Sequence, residues 1–115
     1  MKIVINNCHG GFGLSHEAMM LYAKKKYINL VFEEPSISLC PYVYYIDEAK
    51  EENHFWYHDI PRDDTELVQV VEELGEWANG RFAKLKIVEI PDDIKWEIEE
   101  YDGLEWVSEV HRTWG

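Results

Sequence analysis

The sequence predicts an α+β fold, on three observations. The closing segment alternates in side-chain character on both sides of Asp102-Gly103, a pair suited to a two-residue hairpin turn. Two segments repeat apolar residues at helical spacing behind good capping residues. Short β-branched and aromatic runs, bounded by Pro, Asp, Asn and Gly, fill the rest. The order reads β-α-β-β-β-α-β-β-β. It implies a single domain over residues 1–115, with a mostly antiparallel sheet (mixed pairing left open) and two helices packed on one face.

Lys2 to Asn6 is apolar enough for a buried strand. Ser15 is a good N-cap with Glu17 in the first turn, and Leu14, Ala18, Leu21 and Tyr22 share one helical stripe. Lys24, Lys25 and Lys26 complement the helix dipole at its end, which places a helix over 15–26. Ile28 to Phe32 is strand-like and stops at Glu33-Glu34-Pro35. Residues 42–46 and 54–58 are two further strands, suited to pairing across a charged loop. Asp63 with Glu66 has capping-box spacing, and Leu67, Val70, Val71 and Leu74 continue a stripe that predicts a helix over 64–78, stopped by Asn79-Gly80. The carboxylates of Asp63, Asp64 and Glu66 are therefore read as caps. Leu85 to Ile90 is a strand. In the terminal hairpin Leu104, Trp106, Ser108 and Val110 alternate with Glu105, Val107 and Glu109.

The 115 residues carry a formal charge of −12, unevenly spread. Residues 1–30 sum to +3, whereas residues 31–60 and 91–115 each sum to −6. A nucleic-acid backbone would meet a repulsive field, which argues against direct nucleic-acid binding and leaves a basic protein surface as a partner. No apolar stretch has the length of a membrane span, and no leader-like segment opens the chain, so a cytoplasmic protein is expected. Cys8 and Cys40 are too few for a disulfide framework.

One stretch points to chemistry. Val4 to Asn6 runs into Gly10, Gly11, Phe12 and Gly13, and Ser15 then opens a helix. A strand, a glycine loop and a helix start together form a setting that holds anions, because backbone N–H groups converge on one point. Asn6, Asn7, His9, Ser15 and His16 are the candidate side chains around it. The motif has neither the Lys-Ser/Thr of a P-loop nor the G-x-G-x-x-G spacing. Glycines that only permit close packing account for the loop equally well. Arg62 is a candidate for an anionic ligand or for an acidic neighbour, and Arg112 with Trp114 for a ligand or a partner. Cys8 beside His9 would make a nucleophile and base, but adjacent residues on an extended chain point apart. The histidines, among them His54 and His58, lack zinc-site spacing, so neither a metal nor a cofactor is expected.

Residues 4–15 (VINNCHGGFGLS), 60–75 (IPRDDTELVQVVEELG) with Asn79-Gly80, and 89–114 (EIPDDIKWEIEEYDGLEWVSEVHRTW) resemble small proteins encoded by bacteriophages and prophages. The resemblance does not extend to the Tyr-rich middle. It implies expression in a bacterial host and an accessory role, such as blocking a defence system. The expectation is a non-enzymatic phage-type binding protein that sequesters a phosphorylated small molecule or signalling nucleotide at the glycine loop, as a homo-oligomer or in a deep pocket. The alternatives are an acidic nucleic-acid mimic that inhibits a host protein, of CRISPR type among others, and a small enzyme using Cys8, His9 or His16.

Overall fold

Four of the five residues of KIVIN are buried, which makes strand β1 (Lys2–Asn6) the centre of the computed structural model. The structure describes residues 1–34 and 42–110. One edge of β1 pairs antiparallel with β5 (Leu85–Glu89), Lys2 opposite Glu89 and Asn6 opposite Leu85. Among the described residues, the other edge meets Arg62 and Glu105 rather than a strand. The Val4 N–H donates to the Arg62 carbonyl at 2.9 Å, and the Asn6 N–H donates to Glu105 Oε1 at 2.8 Å. Arg62 Nη1 in turn donates to the Val4 carbonyl at 3.2 Å.

That filled edge divides the strands. Among the described residues all strand pairs are antiparallel, but they form three small sheets rather than one: β1-β5, β2-β3-β4 and β6-β7. In the second, β2 (Leu30–Glu33) pairs with β3 (Val43–Ile46), and β3 pairs with β4 (His54–Phe55), setting Tyr44 opposite Phe55. In the third, β6 (Trp96–Tyr101) and β7 (Leu104–Glu109) flank Asp102 (φ 49°) and Gly103 (φ 89°), the positive φ pair that a type I′ turn requires.

Helix α1 (His16–Lys26) starts where its cap predicts, with Ser15 Oγ accepting the Ala18 N–H at 3.1 Å. Its end corrects the strand expected at 28–32. Tyr27 takes a left-handed conformation and Ile28 donates to the Ala23 carbonyl, so both close the helix and the strand begins at Leu30. Helix α2 (Thr65–Leu74) is capped by Asp64, which accepts the N–H groups of Glu66 and Leu67. Asp63 is not the cap. The expected helix over 64–78 also stops early, because Gly75 (φ 57°) turns the chain into a 3-10 turn, Gly75–Ala78. The strand expected at 54–58 ends at Phe55, because Asp59 Oδ2 accepts the Trp56 N–H and folds Tyr57–Asp59 into another 3-10 turn.

The two helices pack on each other, and α2 also lies against β1 and β5. On the far side α1 meets the three-stranded sheet, with the Tyr22 ring stacked on Phe55. One core cluster results, in which Val4, Met19, Leu67 and Val70 are fully buried. Each such side chain contributes about 1.5–3 kcal/mol relative to an exposed one. No helix of the described residues is long and apolar enough to cross a membrane.

Two clusters hold the layers in register. Arg62 Nη1 and Nη2 donate to Glu105 Oε1 and Oε2 at 2.7 and 2.8 Å, a bidentate pair in which Glu105 is only 7% exposed. At the N-cap of α2, two residues on, Asp64 Oδ2 accepts the Tyr22 hydroxyl at 3.0 Å and lies 3.1 Å from Lys26 Nζ. Burial alone would raise the Asp64 carboxyl, but Lys26, the Leu67 N–H and Tyr22 together hold it below its ordinary value. Burial, then the bond to Asp64, pushes the Tyr22 phenol up to about 12.

Arg62→Ala should lose about 3–5 kcal/mol in urea unfolding, because it leaves a buried carboxylate without its cation. Stability should also fall at both pH extremes. The Asp64 contribution is complete above the ordinary carboxylate value near 4 and is lost as pH drops through the lower folded value. The Tyr22 contribution is complete below about pH 10 and is lost as pH rises towards 12. Stability–pH profiles of Asp64→Asn and Tyr22→Phe should show a smaller acid and a smaller alkaline loss respectively than the parent. Profiles parallel to the parent would refute this assignment.

Candidate functional site

The glycine loop is built by close backbone packing. A Cβ on Gly10 would lie 1.7 Å from the Phe82 carbonyl oxygen, and one on Gly80 would lie 2.6 Å from the Gly13 carbonyl carbon. The Gly80 N–H donates to the Gly13 carbonyl at 2.9 Å, and the Ser15 N–H to the Ala78 carbonyl at 3.0 Å. The loop is thereby laid against the segment that follows α2. Phe12 is buried beneath it, with the Arg62 guanidinium 3.5 Å from its ring centroid and Tyr57 packed edge-on.

Beside this loop lies a cleft of about 550 Å³, within the range of small-molecule sites. Residues 10–17 and 80–82 line it together with Tyr42, Tyr44, Trp56 and Tyr57. The aromatic groups are ordered by one another. The His16 ring stacks on Tyr42 at 4.2 Å, His16 Nδ1 is 2.9 Å from the Tyr44 hydroxyl, and Trp56 stacks on Tyr57 at 4.4 Å. Burial raises the Tyr44 and Tyr57 phenols, so both hydroxyls stay protonated near neutral pH. Among the described lining residues, Glu17 supplies a carboxylate and Arg81 a guanidinium, the latter 5.4 Å from the Phe82 ring centroid.

The residues singled out from sequence divide into two groups. Gly10, Gly11, Phe12, Gly13, Ser15 and His16 line the cleft. Asn6, Asn7, His9 and Arg62 do not. Asn6 is fully buried, and its side chain donates to the Cys8 and Gly103 carbonyls while accepting the Lys84 N–H. Asn7 is exposed, and its N–H donates to the Lys84 carbonyl. His9 Nδ1 lies 3.3 Å from the Asp102 carbonyl, outside the cleft. Arg62 is committed to Glu105, which resolves its two sequence readings in favour of an acidic neighbour. Arg112 and Trp114, like Cys40, lie outside the described residues.

Ser15 lines the cleft, yet its hydroxyl is engaged twice, as the helix cap and as a donor to the Trp77 carbonyl at 2.6 Å. The Cys8 thiol does not line the cleft, and its sulfur lies within hydrogen-bond reach of the Phe82 carbonyl at 3.2 Å and of Asn6 Oδ1 at 3.4 Å. Among the described residues, no three His, Cys, Asp or Glu side chains are grouped to hold a metal ion. Sequence reasoning missed Tyr42, Tyr44, Trp56 and Tyr57 as a wall. Their density between residues 42 and 57 was the available signal, whereas Arg81 and Phe82 carried none. No family model, curated protein or solved structure matches the chain.

Because Gly80 and Gly10 are held by backbone contacts, Gly80→Ala and Gly10→Ala should each cost about 1–3 kcal/mol by overpacking. Tyr57→Phe keeps the ring and should stay within about 0.5 kcal/mol of the parent. Thermal unfolding of the three variants checks this, and equal stability would contradict it.

Proposed function

We propose that the protein acts by binding a small molecule of the nucleotide class in the aromatic cleft. The observation that carries this reading is the meeting of ordered aromatic rings and a glycine loop around one cavity of about 550 Å³. A planar base finds stacking partners in Tyr42 and Trp56, each stacked base contributing about 1–3 kcal/mol. The loop lets backbone approach the ligand without side chains in the way. Arg81 places positive charge on the lining, and Glu17 a negative charge that an anionic group avoids. In the phage-type setting that the sequence resembles, such binding withdraws a signalling nucleotide from a host defence response without any chemical step.

The test is thermal unfolding against nucleosides, linear and cyclic nucleotides, and inorganic phosphate. A ligand at about 100 times its Kd stabilises the fold by about 2.7 kcal/mol. Nucleotides should shift the transition and phosphate alone should not. Tyr42→Ala and Trp56→Ala should abolish the shift, whereas Arg81→Ala should weaken nucleotides more than nucleosides. A cleft that shifts with none of these compounds would rule the proposal out.

A further inference from the structure

The turn of the β6-β7 hairpin packs on the glycine loop, but its strands contribute no residue to the cleft and offer a second surface. The molecule measures 51 × 31 × 28 Å, and the hairpin is tied to β1 near its turn, through Glu105 to Asn6 and Arg62 and through the Gly103 carbonyl to Asn6. Among the described residues, no strand pairs with the outer edge of β6. A two-residue turn makes Tyr101 and Leu104 a hydrogen-bonded pair, so Glu97, Glu99 and Tyr101 turn their backbone groups to β7. The Val110 N–H donating to the Lys95 carbonyl at 2.9 Å continues the same alternation. Trp96, Ile98 and Glu100 therefore present their N–H and C=O groups to the open edge. Unpaired strand edges of this kind are templates for an added strand.

The side chains decide what can be added. On the solvent face Tyr101 is 71% and Trp106 42% exposed, and Trp106 Nε1 donates to Glu99 Oε2 at 2.9 Å. Glu97, Glu99 and Glu100 are exposed along β6, and Glu109 faces Trp96 across the pair. A second copy of the hairpin would set these glutamates against their own kind, and a nucleic-acid backbone would meet the same repulsion. A strand bearing Lys or Arg meets opposite charge instead. Its alkyl stems have the exposed rings to lie on, with the cation over the ring face.

From this edge, its charge and its rings we infer that β6 is a docking strand for an extended, basic segment of another protein, which adds to the sheet through Trp96, Ile98 and Glu100. The site shares no lining residue with the cleft and does not require a nucleotide.

The probe is a short fluorescent peptide of alternating Lys and Val, beside its Glu/Val counterpart and a single-stranded oligonucleotide. The Lys/Val peptide should bind, with affinity falling as salt is added, and the other two should not. Amide hydrogen exchange should slow at Ile98 and Glu100 on binding. Ile98→Pro removes an outward N–H and no bond to β7, and should weaken the peptide about tenfold or more. Glu97→Lys with Glu99→Lys leaves the backbone intact and should do the same, which keeps the test decisive if the proline variant unfolds. Equal binding by either folded variant, or by the Glu/Val peptide or oligonucleotide, would overturn the inference. So would exchange protection that leaves Ile98 and Glu100 untouched.

Discussion

A buried arginine–glutamate pair sets the shape of this protein. Arg62 and Glu105 meet through two parallel hydrogen bonds, and neither partner serves the other alone. Arg62 also donates to the Val4 carbonyl, and Glu105 also accepts the Asn6 N–H. Removing two charges from water costs several kcal/mol each, and a pair offsets that cost only when its remaining donors and acceptors are engaged. These additional bonds go to the backbone of β1, where a neighbouring strand would otherwise bond. The pair thus takes the place of a strand at that edge.

Several features follow from that substitution. The terminal hairpin docks on β1 by side chains instead of joining its sheet, so its own strands stay a separate two-stranded unit. Arg62 lies two residues before the α2 cap, and its guanidinium covers Phe12, so the start of α2, the glycine loop and the hairpin share one anchor. Asn6 sits beside that anchor and bonds the Cys8 and Gly103 carbonyls and the Lys84 N–H. The glycine loop is consequently fixed from below before any ligand is considered. Pre-ordering of this kind lowers the entropy lost when a ligand binds.

The α+β class was legible because its signals are local. Ser15, the Leu67–Val70–Val71 stripe and Asp102-Gly103 each act within a few residues of themselves. Helix ends were less legible, since Gly75 and Tyr27 depend on whether a positive φ is used at that point. Glu105 illustrates a deeper limit. Alternation groups it with Glu109, yet Glu105 is buried and Glu109 exposed, because only the fold supplies Arg62 opposite it. The cleft follows the same logic. Its glycine loop could be read from the chain, but its wall is brought there by the three-stranded sheet and by a 3-10 turn that Asp59 creates.

The glycine loop and the acidic surface, which compete as explanations of the sequence, occupy different places on the molecule. The loop opens onto an aromatic cavity, while a dense run of acid lies along β6. They are nevertheless mechanically joined, because a Cβ on Gly103 would lie 2.5 Å from the His9 carbonyl oxygen and 2.8 Å from the Gly11 nitrogen. The hairpin turn is thus packed directly on the loop, with the Arg62–Glu105 pair next to it. A contact of that closeness between backbones leaves little room for one to shift without the other. The turn that shapes the exposed arm is therefore also part of the support of the cleft, which gives Gly103 two reasons to be glycine: its positive φ and the backbone it faces.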